Sequence, residues 1–327
     1  MSRVGRSSRG AAVVAAVLAV LVVAVGCGSS TKKPSGGGSA SCKAGAPTNP
    51  TPPGQLNLKS AIDTAAAAKV PQAVKSKHTL VVASDLTYPP NEFTPAGSNT
   101  PIGMDVDLAT SLGSVLGLQL QVKNVTFDGI VAGIAAGRYD LGMSSLTDTK
   151  EREGSVTFVT YFKAGISTMV RKCNPLGIKT DLSLCGKTVG AENGTTELDQ
   201  LTKADTDGSI LTACKKANKP APKAQGFPNQ ADVNTALAAD RIQAYRADTP
   251  VIDYAVSQNN AAFQKAGGDE GVAPYGIALS KKSSTFAQAI QAALKALIAS
   301  GDYQKILSHW GVANGAISAP VINGATS

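Results

Sequence analysis

Two long extended runs, Tyr161 to Arg171 and Gly271 to Leu279, constrain this chain more than any other feature. The first leaves a region in which strand-like and helix-like stretches alternate, and the second returns to it. Before the first crossing, His78 to Ser84 reads as a buried strand and Asp85 to Pro90 as loop. A helix around Leu108, Leu112, Val115 and Leu116 ends at Gly117, and Leu118 to Val122 alternates as a strand. A helix faced by Ile130, Val131 and Ile134 follows, then a strand over Tyr139 to Met143. Between the crossings the rhythm repeats: strands at Lys187–Ala191, Ala224–Phe227 and Arg241–Ala247, with helices near Thr195 and over Val233–Ala239. After the return, Phe286, Ala289, Ile290, Ala293, Leu294, Leu297 and Ile298 share one helical face. If that last helix rejoins the first region, the chain is α/β, with two doubly wound lobes joined by a two-strand hinge. Lobe 1 is then 78–163 plus 277–313, lobe 2 is 167–272, and 314–327 is a disordered tail. Two parallel crossings make a hinge, and a hinge makes a cleft that collects the carboxyl ends of strands, where ligands bind.

Composition agrees with two packed lobes. The chain has 327 residues, 43% of them hydrophobic, enough for two cores and too apolar for a disordered protein. Its net charge is +8, but the basic residues are scattered and not interleaved with aromatics, so nucleic acid is not an expected partner. Only His78 and His309 are histidines, far apart, which leaves no His-rich metal site. Nucleophile elbows, P-loops and G-x-G-x-x-G are missing from the sequence, and no cofactor is expected.

The amino terminus reads as an address. Arg3, Arg6 and Arg9 precede an uncharged run, Ala11 to Val25. Fifteen residues span only about 22 Å as a helix, short of a bilayer core, so residues 1–26 read as a secretory signal. Ala24 and Gly26 before Cys27 resemble the lipobox of bacterial lipoproteins, although Leu is usual where Ala24 stands. That resemblance implies acylation of Cys27; a plain signal peptide with an incidental cysteine is the alternative. Residues 27–60, rich in Gly, Ser, Pro and Thr, read as a flexible tether. Secretion makes disulfides of the remaining cysteines, Cys42, Cys173, Cys185 and Cys214. Cys185 precedes one strand and Cys214 ends the following helix, so both fall at one sheet edge. Cys185–Cys214 is favoured, with Cys42–Cys173 left over and the short loop Cys173–Cys185 as competitor.

Three loops at strand ends would suit a zwitterion. Arg152, in Thr147-Asp-Thr-Lys-Glu-Arg152, offers a fork of donors matching a carboxylate. Gly194, Thr195 and Thr196 lie between a strand and a helix, where backbone N–H groups and a hydroxyl can hold an anion. Asp248 ends a strand just before Thr249-Pro250 and can pair with an ammonium. Taken singly, each has a plainer reading: a solvated arginine, an ordinary helix start, a helix cap.

In this order, however, the segments Val81-Val-Ala-Ser-Asp85-Leu-Thr-Tyr88-Pro-Pro, Gly103-Met-Asp-Val-Asp107, Phe127-Asp-Gly-Ile, Ser144-Ser-Leu-Thr-Asp-Thr-Lys-Glu-Arg152, Gly194-Thr-Thr and Asp248-Thr-Pro resemble a known family. They are similar to the extracytoplasmic solute-binding proteins of family 3, the polar-amino-acid-binding lipoproteins of ABC importers with the type II periplasmic fold. The resemblance departs at Asn91, where an aromatic is usual. It implies that Arg152 and the Gly194–Thr196 backbone hold a ligand carboxylate. Asp248 would hold the ammonium, helped by Ser144, Ser145 and Thr147. Tyr88 and Phe127 would sandwich the ligand side chain, with Asp85 and Glu192 at its far end. If those two carboxylates converge, arginine, lysine or ornithine fits; if Glu192 faces solvent and Asp85 bonds amides, glutamine or another neutral polar amino acid does. The resemblance also implies an ABC permease with its ATPase as partner, a monomer, and lipid attachment to the outer face of the cytoplasmic membrane. Rival readings are a periplasmic dehydratase, with Glu192 or Asp85 as general acid or base, and an amino-acid sensor ectodomain.

Overall fold

A computed structural model describes Thr48, residues 50–56 and residues 58–326. The signal segment, Cys27, Cys42 and most of the tether lie outside the described residues, and so does the Cys42–Cys173 pairing.

The strands, in chain order, are β1 (Thr79–Ser84), β2 (Thr87–Tyr88), β3 (Glu92–Phe93), β4 (Gln119–Asn124), β5 (Leu141–Gly142), β6 (Val156–Arg171), β7 (Thr188–Glu192), β8 (Lys223–Phe227), β9 (Ala244–Asp248) and β10 (Phe263–Ser280). Eight of them form one hydrogen-bonded order, β4-β1-β5-β10-β6-β9-β7-β8. At one end β4, β1 and β5 run parallel, and at the other β8, β7 and β9 do. The antiparallel pair β6–β10 passes through both halves. Its register shifts between Ala266 and Glu270, between Glu270 and Ala273, and between Tyr275 and Gly276. Those irregularities fall where the pair crosses from one lobe to the other, and bulged pairing of this kind bends a ribbon. Both crossings are longer than the extended runs legible in the sequence.

Amphipathic helices cover the first lobe. Helix Met104–Leu116 buries Met104, Leu108 and Leu112 and ends on Gly117, whose φ of +68° suits glycine. Helix Ser284–Ser300 buries Phe286, Ile290, Leu294 and Leu297 in the same core, joined there by Tyr303, Ile306, Leu307 and Trp310 of the last helical turns. The final helices therefore pack with β1 and β4. The second lobe has smaller cores around Val233, Ile242 and Tyr245 and around Leu184, Val189 and Leu201. Cys185 and Cys214 form a disulfide there, which excludes the Cys173–Cys185 alternative.

Two expectations are corrected. The tether does not run free to residue 60: the Leu56 N–H donates to the Asp107 carboxylate at 3.0 Å, and Leu56 and Leu58 pack on the first core. Nor is 314–327 disordered over its described length. Residues 321–323 lie along β6, with Ile322 bridged antiparallel to Val159 and Thr160 N donating to Val321 O at 2.8 Å. The sequence shows a polar, Gly-containing tail there; the free edge of β6 gives it somewhere to bond.

Candidate functional site

Four strand ends converge between the lobes. Asp85 follows β1, Ser144 lies two residues after β5, Glu192 ends β7 and Asp248 ends β9. Parallel strands put all four at the carboxyl edges that face the gap. Beside them is a cavity of about 610 Å³, whose lining includes Thr147, Arg152, Gly194, Thr196, Arg246 and Asp248.

Arg152 stands on a single helical turn, Lys150–Glu153, whose start is capped by Thr149 Oγ1 accepting from Arg152 N at 3.2 Å. Its Nη1 donates to Thr147 O and its Nη2 to Gly194 O, each at 2.8 Å, the second bond reaching the opposite lobe. The guanidinium carbon lies 5.5 Å from the centre of the Phe127 ring, within cation–π range. Phe127 thus supports the arginine.

Gly194 has φ +78°, and a Cβ placed on it would come within 2.9 Å of Asp128 Cα. Only glycine lets this turn approach the other lobe so closely. Thr195 caps the seven-residue helix Thr196–Thr202 by accepting from Leu198 N, while its hydroxyl donates to Glu192 O at 2.7 Å. That hydroxyl therefore fixes the turn, while Thr196 lines the cavity.

Asp248 is buried, and Tyr88 Oη donates to its Oδ2 at 2.9 Å while accepting from Asp248 N at 3.1 Å. The expected stacking residue Tyr88 thus reaches across the gap to the residue expected to bind an ammonium. Burial first, then the nearby Glu197 charge, pushes the Asp248 carboxyl well above the ordinary carboxylate range.

Asp85 and Glu192 meet. Asp85 accepts from Thr87 Oγ1 at 2.7 Å and from Phe127 N at 3.1 Å, and its carboxyl lies against that of Glu192. Burial and the Asp85 charge push Glu192 up to about 10, so the pair carries a proton at neutral pH. Glu192 Oε1 is buried with no hydrogen-bond partner among the described residues. The two residues are 3% and 2% exposed and lie beside the open cavity, not on its lining.

Ser144 and Ser145 lie behind the site. Both hydroxyls donate to the buried Glu92 carboxylate at 3.1 Å; Ser144 Oγ also accepts from Asp85 N, and Ser145 Oγ from Asn91 Nδ2, each at 2.9 Å. Asp105 accepts from Ser145 N at 3.0 Å and from Tyr161 Oη at 2.7 Å, and burial raises it to about 6. Asn91, at the aromatic's usual position, joins this polar floor.

Sequence reasoning missed two residues. Glu197, 2% exposed with Oε1 unpartnered among the described residues, acts electrostatically on Asp248, Arg152, Tyr88 and Glu192. Its place in the first turn after Gly194-Thr-Thr was the available signal. Arg246, 2% exposed, is paired with Asp181 at 2.7 Å and Glu270 at 3.3 Å and hydrogen-bonded to Gln200 at 3.1 Å. Strand alternation puts it on the same face of β9 as Asp248.

The pattern of the bacterial extracellular solute-binding proteins, family 3, matches residues 80–313. The chain belongs to that family. It resembles binding proteins of amino-acid transporters. The arginine-binding protein ArgT of Corynebacterium glutamicum is 28% identical over 258 residues, 78% of this chain and 82% of that protein. The glutamine-binding protein GlnH of Bacillus subtilis is 29% identical over 212 residues, 64% of this chain and 72% of its own. A solved ancestral arginine-binding protein bound to arginine superposes with a TM-score of 0.64 at 32% identity, covering 71% of this chain and 98% of its own. This family 3 chain is therefore an extracytoplasmic solute-binding transport protein with the type II periplasmic fold.

Proposed function

We propose that this chain is the lipid-anchored substrate-binding component of an ABC importer and captures a cationic L-amino acid (arginine, lysine or ornithine) between its lobes. One observation carries the ligand: Asp85, Glu192, Glu197 and Asp248 crowd a site in which Arg152 faces Asp248 and the other lining arginine, Arg246, is already paired with Asp181 and Glu270. An amino acid with a second positive charge relieves that imbalance, because carboxylates closed off from water are stabilised by a cation between them. In this reading Arg152 and the Gly194–Thr196 turn take the ligand carboxylate. Asp248, oriented by Tyr88, takes the ammonium, and the distal cation enters between Asp85 and Glu192, replacing their shared proton. Ser144 and Ser145 hold the floor through Glu92, Thr147 and Phe127 hold Arg152, and Thr195 holds its turn. The names of the relatives, arginine-binding and glutamine-binding, include both ligands considered.

Delivery follows from closure. The first lobe meets the ligand, the second closes on it, and the closed face is what a permease coupled to an ATPase would recognise. Micromolar affinity requires about 8 kcal/mol net, within reach of two desolvated charge-assisted clamps after ordering costs. Acylation of Cys27 would keep a monomeric protein at the outer face of the cytoplasmic membrane; mass spectrometry of the mature amino terminus tests it.

Calorimetric titration with the twenty standard amino acids and ornithine tests the ligand. Binding of arginine, lysine or ornithine is expected. Glutamine binding with no heat from the three cations would overturn the cationic assignment, and no binding by any amino acid would overturn the function.

A further inference from the structure

Residues 321–326 form a strap on the first lobe. Val321 N donates to Thr160 Oγ1 at 2.8 Å, Asn323 N to Phe158 O at 3.0 Å, and Phe158 N to Asn323 Oδ1 at 2.9 Å. These bonds fill the edge of β6 that β9 covers in the second lobe. The strap then turns toward the arginine-bearing helical turn. Gly324 N donates to Asp148 Oδ2 at 2.7 Å and Ala325 N to Glu153 Oε1 at 3.2 Å, while Thr326 lines the same cavity as Thr147 and Arg152. Asp148 is 1% exposed, and its backbone N–H is tied to Pro274 O of β10 at 2.8 Å. Asp148 and Glu153 thus bracket Arg152, and the strap bonds to both brackets.

We infer that the strap end, residues 324–326, is a positioning element for Arg152, acting through Asp148 and Glu153 to hold the guanidinium where a ligand carboxylate arrives. This rests on the reading of Arg152 as the carboxylate clamp. Three facts support it. The carboxylates on either side of the turn accept strap amides. One of them is buried, so losing its partner there leaves an acceptor exposed to no water. And a one-turn helix has too few internal bonds to hold its own geometry. The strap supplies the bonds the turn lacks.

The test is the chain ending after Asn323, which keeps the bonds to β6 and removes residues 324–327, the three strap residues Gly324, Ala325 and Thr326 among them. Three readouts are compared with the intact chain: unfolding temperature, amide exchange over 149–153, and calorimetric affinity for arginine, glutamine and argininamide. The unfolding temperature is expected to stay within a few degrees, exchange over 149–153 to speed up, and affinity for the free amino acid to fall about tenfold. Argininamide, which lacks the carboxylate, should lose little. Asp148→Ala should imitate the truncation and add nothing to it, while Asp148→Asn, which keeps an acceptor oxygen for Gly324 N, should restore most of the affinity. Affinity within twofold of the intact chain, or an equal loss for argininamide, overturns the inference. Should the intact chain bind neither arginine nor glutamine, the functional reading falls separately, and unchanged exchange over 149–153 would then overturn the strap's hold on the turn.

Discussion

Asp85 and Glu192 form the residue pair with the clearest consequence. Burial, then the Asp85 charge, holds the Glu192 carboxyl up to about 10 against an ordinary 4.5. A cation between the two would take the proton's place. Arginine binding at pH 7 is therefore expected to release about one proton more than glutamine binding, read from the dependence of the binding heats on buffer ionisation enthalpy. Because the bound form has lost a proton that the free form keeps until about pH 10, affinity should rise with pH over that range. Both ligands bring an ammonium to Asp248, so any proton released there is common to them, whereas a neutral ligand such as glutamine leaves the Glu192 proton in place; equal proton release by arginine and glutamine would remove the pair from the ligand's path. Linkage to folding has the opposite slope. The folded chain keeps a proton that the unfolded chain gives up above about 4.5, so this contribution to stability is complete below that pH and is lost as pH rises toward about 10. Glu192→Gln should flatten that decline in the unfolding temperature. Asp248→Ala should weaken binding by about 2–5 kcal/mol, because a buried ammonium would be left unpaired; near-wild-type affinity by calorimetry would refute its role.

Among the elements, the Gly194 turn and the disulfide separate binding from stability. An alanine Cβ at Gly194 would come within 2.9 Å of Asp128 Cα, and at φ +78° the residue is strained as well. Backbone must move apart to admit it, so Gly194→Ala should weaken amino-acid binding through closure, while the unfolding free energy falls by only about 1–3 kcal/mol. Unchanged affinity would mean that the turn does not close on ligand. The Cys185–Cys214 bond spans 29 residues beside the core of Leu184, Val189 and Leu201 in the second lobe. Replacing both with serine should cost about 3–4 kcal/mol of stability in urea denaturation and leave the affinity of the folded protein unchanged. Its pairing could be read from sequence because Cys185 precedes β7 and Cys214 lies in the helical stretch before β8. The same logic placed Asp248, a strand end followed by Pro250. The short β5, only Leu141–Gly142, fell inside a longer expected strand, Tyr139 to Met143, whose other residues are not in a strand.

At the scale of the molecule, alternation of strand and helix patterns and the two crossings made the two-lobed α/β architecture legible, because each depends on local periodicity. What could not be read depends on partners distant in sequence. Ser144 and Ser145 spend their hydroxyls on Glu92, more than fifty residues upstream. Tyr88 reaches Asp248 only once the lobes are juxtaposed. Residues 321–326 resemble a tail in composition, and only the free edge of β6 and the Asp148 and Glu153 carboxylates give them a place. Glu197 escaped notice because a glutamate in a first helical turn usually complements the helix dipole at the surface; here it is buried beside the site. The most direct measurement is a crystal structure of the chain grown with arginine. The ligand carboxylate should lie on Arg152 and the Gly194–Thr196 turn, its ammonium on Asp248, and its guanidinium between Asp85 and Glu192. An arginine lying outside the interlobe gap, or with its ends reversed, would contradict the account.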